Sequence, residues 1–239
     1  MSDAAGGLVG SNFGFIIQSH ATGNVLNATQ FSDRNGGLVG ASNGTIALSY
    51  ATGSVTHTLG ESIGDYEGGL VGLLGNSASI DQSFATGEIA GTNAGGLVGA
   101  SALATRVSNS YATGAVFGGT SQDSSAGGLE GELSPSGGTI ASSYSTGAVS
   151  AAGSPYIGGF LGYDGGETLK TNTYWDLTTS GLSDPGQGAG NIKNDPGITG
   201  LTDAQLKSGL PDGFDPNVWG QNASINNGYP YLLANPPPQ

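Results

Sequence analysis

Two short elements limit what this chain can become: Gly36-Gly37-Leu38-Val39-Gly40 and, shortly after it, Ser49-Tyr50-Ala51-Thr52-Gly53. Both recur. The first returns at Gly6, Gly68 and Gly95, then as Gly127-Gly128-Leu129-Glu130-Gly131 and Gly158-Gly159-Phe160-Leu161-Gly162. The second returns as Ser19-His20-Ala21-Thr22-Gly23, Ser83-Phe84-Ala85-Thr86-Gly87, Ser110-Tyr111-Ala112-Thr113-Gly114 and Ser143-Tyr144-Ser145-Thr146-Gly147. Successive Gly-Gly starts lie 30, 32, 27, 32 and 31 residues apart. A period of this size marks a solenoid or an array, whose units bury their apolar faces against each other.

Stacking the copies gives columns. Leu8, Leu38, Leu70, Leu97, Leu129 and Phe160 are all large and apolar, so this column faces the core. The next column reads Val9, Val39, Val71, Val98, Glu130, Leu161. An unpaired glutamate in an apolar core is costly, which predicts that this column points outward or lies near an edge. A third column, Ile16, Ile46, Ile80, Val107, Ile140 and Leu169, is mostly β-branched. So is a fourth, Val25, Val55, Ile89, Val116 and Val149, as strands prefer. Glycines bracket every apolar stretch and no 3.6-residue period appears. Length differences concentrate between the Val25-type column and the next Gly-Gly, where 10, 12, 5, 10 and 8 residues intervene. The predicted fold is all-β: a parallel β-helix or β-solenoid of about six ~30-residue coils over residues 1–179, with Gly-Gly starts at 6, 36, 68, 95, 127 and 158. Residues 180–239 are expected to form an irregular C-terminal cap and tail.

Within the tail, Thr202 and Gln205 have capping-box spacing, Asp203 suits a first helical turn and Gly209 suits an exit. One short helix is predicted there. Phe214, Trp219, Tyr229, Tyr231, Leu232 and Leu233 then form the densest aromatic cluster, expected to cover the open end of the solenoid. A binding pocket built from Trp175 and Trp219 is the alternative.

Composition excludes several classes. Glycine makes up 46 of 239 residues, but in periodic blocks, which argues against a flexible linker. Five basic residues against 18 acidic give a net charge of -13, the wrong sign for nucleic acid or an anionic membrane surface. Cysteine is absent, so disulfides and thiolate metal sites are excluded. No basic-plus-apolar leader opens the chain, and the repeat begins at Gly6. The chain is therefore expected to be a piece of a longer one.

The pattern Gly-Gly-Leu-Val-Gly-x-Asn-x-Gly-x-Ile-x-x-Ser-Tyr-Ala-Thr-Gly-x-Val resembles the GLUG repeat of very large bacterial surface proteins, filamentous-haemagglutinin-like adhesins of the two-partner secretion type. The segment from Thr173-Tyr174-Trp175-Asp176 through Gly213-Phe214-Asp215-Pro216, Val218-Trp219-Gly220 and Asn227 to Leu232 is similar to what often follows such arrays. Six linked copies make the resemblance specific for the repeat class. It implies a β-solenoid, an extracellular or cell-surface location and an adhesive or scaffold role, with a host or neighbouring cell surface, and carbohydrate on it, as partner. It carries over no catalytic residue. Glu130 for Val, Ser145 for Ala and His20 for an aromatic depart from the pattern.

Counting back by twos from Val25 turns Ala21 inward and His20 and Thr22 outward. An outer face would then carry Tyr50, Phe84, Tyr111 and Tyr144 beside Thr22, Thr52, Thr86, Thr113 and Thr146. Aromatic faces stack on sugars, and a Thr array can order water; stacked aromatics and Thr ladders also stabilise sheets with no ligand at all. Signals for an enzyme are weak. The acidic pairs Asp65 with Glu67 and Glu130 with Glu132 sit in different repeats without a matching base, and His20 and His57 stand alone in sequence. No metal-ligand spacing is present; loop-bound calcium near Asp184 or Asn194-Asp195 is left open. A polysaccharide-acting β-helix enzyme and an ice-binding protein are the rival readings. The first coil has no preceding coil to pair with, which predicts head-to-head self-association through its edge.

Overall fold

The chain is a parallel β-solenoid. Its structure, a computed structural model, describes residues 4–27, 33–57, 65–135 and 138–238. One coil shows the plan: short strands at Arg34–Gly36, Val39–Ser42, Thr45–Ala47, Tyr50–Ala51 and Val55–His57. Each pairs in parallel with its counterpart in the coils before and after. Val9, Val39, Val71, Val98, Glu130 and Leu161 lie in one register. Val25, Val55, Ile89, Val116 and Val149 lie in another. Insertions fall between the Val25-type strand and the next Gly-Gly, so the loops absorb them and the core columns stay in step.

The Gly-Gly pair exists because backbones meet there. A Cβ on Gly36 would collide with the Val39 carbonyl oxygen, and one on Gly37 with the carbonyl oxygen of Gly69 in the next coil. The chain bends at Gly37-Leu38, between two strands. Period-2 alternation does not cross a corner, so Leu38 and Val39 both turn inward and both are fully buried. The expectation that the Val39 column faces outward is therefore corrected. Glu130 sits inside that core, 1% exposed, with Ser101 Oγ donating to Glu130 Oε2 at 2.7 Å.

A second corner precedes each Ser of the Ser-Tyr-Ala-Thr-Gly element. Gln18, Leu48, Gln82, Asn109, Ser142 and Asn172 all adopt left-handed backbone, with φ between 44 and 53°. For a residue with a Cβ this costs about 1–2 kcal/mol. The following serine offsets the cost: Ser49 Oγ donates to the Ala47 carbonyl at 2.7 Å and accepts the Ser19 amide at 3.1 Å. Ser83, Ser110 and Ser143 repeat both bonds. A hydrogen-bonded serine column thus fixes the corner in coil after coil.

The sixth coil departs from the repeat. Lys170, not Leu169, pairs with Ile140, and Leu169 is 61% exposed. Lys170 is tolerated because its ammonium pairs with the buried Asp164 and, at 2.9 Å, with Asp195. Burial alone would lower its pKa, but hydrogen bonds to the two carboxylates hold it above the ordinary lysine value. The coil register also continues past residue 179, since Ile198–Leu201 pairs with Thr173–Asp176. Trp175 stands in the Ala column beside Ser145 and is fully buried over Gly159, so a large side chain fills the last coil from within.

Candidate functional site

The parity argument places the Tyr50 column outside the coil, and the structure agrees on direction. Ala21, Ala51, Ala85 and Ala112 belong to the solenoid core, while their neighbours His20, Tyr50, Phe84, Tyr111 and Tyr144 stack outside it. Ring centroids are 4.9, 4.9, 4.8 and 5.1 Å apart with planes within 6° of parallel. That spacing is the strand spacing, so the backbone register sets the stack.

This ladder is not an open platform. Phe84, Tyr111 and Tyr144 are fully buried and Tyr50 half-buried, because the chain's own C-terminal tail lies over them. Trp219 packs on Tyr111 and Tyr144 at 6.0 and 5.8 Å. Phe214 packs on Trp219 at 4.5 Å and meets Tyr174 edge-on at 5.7 Å. Polar contacts fasten the tail to successive coils. Tyr144 Oη donates to the Pro230 carbonyl at 2.6 Å, and Tyr174 Oη to that of Asp212 at 2.9 Å. Asn235 Nδ2, near the end of the tail, donates to the carbonyls of Ser49 and Gln82 at 3.3 and 3.0 Å. The aromatic tail therefore straps the flank from the sixth coil back to the second instead of closing the end. Trp175 and Trp219 belong to different apolar clusters, one inside the coil and one outside, so they share no pocket.

The helix falls where its caps predict, at Asp203–Leu206, with both capping-box bonds between Thr202 and Gln205 present. It ends at Lys207, before Gly209. Its purpose is to aim Leu206 into the aromatic cluster. Tyr229 Oη reaches Asp176 Oδ2 at 2.8 Å and also Asp203, while Lys207 Nζ lies 4.2 Å from the Tyr229 ring centre. Burial, reinforced by the hydrogen bond to Asp203, holds the Tyr229 phenol well above its usual range. Burial does the same for Tyr111 and Tyr144. These phenols are structural groups, protonated at any physiological pH.

The Thr column runs from exposed Thr22 through half-buried Thr52, Thr86 and Thr113 to buried Thr146. Backbone bonds carry it from coil to coil, with the Thr52, Thr86, Thr113 and Thr146 amides bonding to Ala21, Ala51, Ala85 and Ala112 carbonyls.

The acidic pairs split. Glu67 and Glu130 point into the coil, whereas Glu132 is half-buried. Burial, then the Asp65 carboxylate, pushes Glu67 up to about 8, against hydrogen bonds from Asn35 and the Thr92 backbone. Burial pushes Glu130 up to about 7, with the Ser101 bond pulling the other way. His57 is alone in the sequence but not in space: its Nδ1 lies 3.6 Å from Asp65 Oδ2. The only signal for that pair was the loop between them, whose ends must meet if the coils stack. Asp184 pairs with Lys193 at 3.0 Å and Asp195 with Lys170. Among the described residues, no three His, Asp or Glu side chains gather as a metal-ligand set.

The class defined by this geometry is a repeat β-solenoid with a lateral strap. No protein-family model and no curated protein matches the chain.

Proposed function

We propose that this chain is a non-enzymatic structural and adhesive module of a large secreted bacterial surface protein of the GLUG-repeat kind, binding a cell surface or its glycans through repeated outward columns. The observation that supports this reading most is the register. One set of side chains recurs in every coil at about 4.8 Å, and a strap fastens the second coil to the sixth. Such a rod suits holding and presenting surface. The acids with raised pKa values fit catalysis poorly, because Glu67 and Glu130 are enclosed in the coil, beyond reach of a polymer substrate. With Phe84, Tyr111 and Tyr144 under the tail, half-buried Tyr50 and the Thr22, Thr52, Thr86 and Thr113 column are the parts of the candidate face left in contact with solvent.

The test is a glycan-array and cell-binding comparison of the chain with a variant carrying lysine at Thr52, Thr86 and Thr113. Binding that the variant loses supports the reading. Cleavage of acidic or neutral polysaccharides, or thermal hysteresis, would replace it with one of its rivals.

A further inference from the structure

The first coil, residues 4–27, is unlike the rest in what it shows outside. Leu8, Phe13, Phe15, Ile17 and Leu26 are 46, 80, 79, 52 and 69% exposed. They are five of the nine large apolar side chains exposed among the described residues, so the apolar surface is concentrated at one end. Phe15, Ile17 and Leu26 are not core residues left bare by a missing neighbour. They occupy outward columns. Phe15 lies in register with Thr45, Ser79, Arg106 and Thr139, and Ile17 with Ala47, Asp81, Ser108 and Ala141. Leu26 lies beside Thr56. With the exceptions of Phe117 in the Leu26 column and Leu169 in the Phe15 column, the later coils carry small, polar or charged side chains where the first coil carries large apolar ones.

Two other features act together with it. The strands of this coil end their sheets, so one edge pairs with nothing among the described residues. The coil also contains no Asp, Glu, Lys or Arg, in a chain of net charge -13. Two copies can approach through it without bringing like charges together.

We propose that the edge of the first coil binds a second copy of this chain, head to head, through antiparallel pairing of the Phe15–Ile17 strands about a two-fold axis at Ile16. The strand is self-complementary in that arrangement. Phe15 of each copy lies opposite Ile17 of the other on the outer face, forming two aromatic–β-branched cross-strand pairs. Ile16 meets its own equivalent on the inner face and continues the apolar core. A parallel continuation would instead set Phe15 on the column of Thr45 and Ser79. The other end does not compete, because its last coil continues into residues 177–201 and the strap. The contact is isologous and closes at two.

Sedimentation velocity on the 239-residue chain, from about 1 to several hundred µM, tests the pairing. A reversible monomer–dimer equilibrium is expected, weakened at least about 100-fold in a Phe15→Glu/Ile17→Glu variant, which sets two pairs of like charges directly opposite each other across the strands. Both side chains are exposed in the monomer, so far-UV circular dichroism of the variant should match the wild type. The same charges one coil inward, at Thr45 and Ala47, should leave the dimer intact. Orientation is read from single cysteines, since the chain has none of its own: oxidising a mixture of Phe15→Cys and Ile17→Cys chains should give the mixed disulfide in excess over either homodimer. A strictly monomeric wild type, an open-ended series of oligomers, a dimer untouched by the double glutamate variant, or preferential 15-to-15 cross-linking would each overturn the proposal.

Discussion

Two residues with carboxyl groups stand where the repeat asks for apolar or amide side chains. Glu130 occupies the Val39 column, and Glu67 lies between Asn35 and Ala94 in the strand ending at the first glycine of the pair. Both have pKa values raised above the unfolded value, so the folded state favours their protonated forms. Their contribution to stability is full below about pH 4.5. It falls as pH rises through about 7 for Glu130 and about 8 for Glu67. Asp195 and Asp203 act in the opposite sense: hydrogen bonds to lysine lower their pKa values despite some burial, and their contribution is lost only as pH falls below the ordinary carboxylate range. Chemical denaturation at pH 5 and pH 8.5 should therefore show a more stable protein at pH 5. Glu67→Gln should remove most of the difference. Glu130→Val restores the residue of the column and should stabilise the chain at pH 8.5 by about 1–3 kcal/mol, by removing a buried charge. A wild type more stable at pH 8.5 would show that these two side chains reach water.

At the scale of elements, the strap and the ladder are one unit. Each parallel ring pair is worth about 0.5–1.5 kcal/mol beyond its area, and the tail keeps water from three of the rings, Phe84, Tyr111 and Tyr144. Trp219→Ala should cost about 3–5 kcal/mol, read as a shift in the urea midpoint with the β signal in circular dichroism retained. It should also make Tyr144 accessible to quenchers. Much of this architecture could be read from the sequence. Columns of Leu, Ile and Val gave the coils, Thr202 and Gln205 gave the helix, and parity from Val25 gave the direction of the ladder. Other features had no local sign. Asn235 bonds to the Ser49 carbonyl across 186 residues, and nothing near either one announces the other. The direction of the Val39 column is not legible in the sequence, because Glu130 in that column points to an outer face. Alternation stops at the bend at Gly37-Leu38, and the cost of burying that carboxyl is met by a pKa raised toward the protonated form and by Ser101. The inward turn of Lys170 has no local sign either, since its partners Asp164 and Asp195 come together only when the last coil closes.

The whole molecule is a rod whose two ends differ. One end is closed by residues 177–201, with Trp175 filling the interior, and the tail turns back along the flank. The other end shows an apolar edge without charge. The burial of the ladder and the rigidity of the rod depend on where the tail runs. Distances between paired spin labels test this most directly, and the absence of native cysteine makes the labelling clean. One label replaces Pro236, an exposed residue beside Asn235. The second replaces either Thr22, in the first coil, or Glu167, in the sixth, both exposed. A strap along the flank predicts that 236 lies closer to 22 than to 167, with the gap set by coils spaced about 4.8 Å apart. A tail folded across the closed end would give the reverse order, and that result would contradict the account.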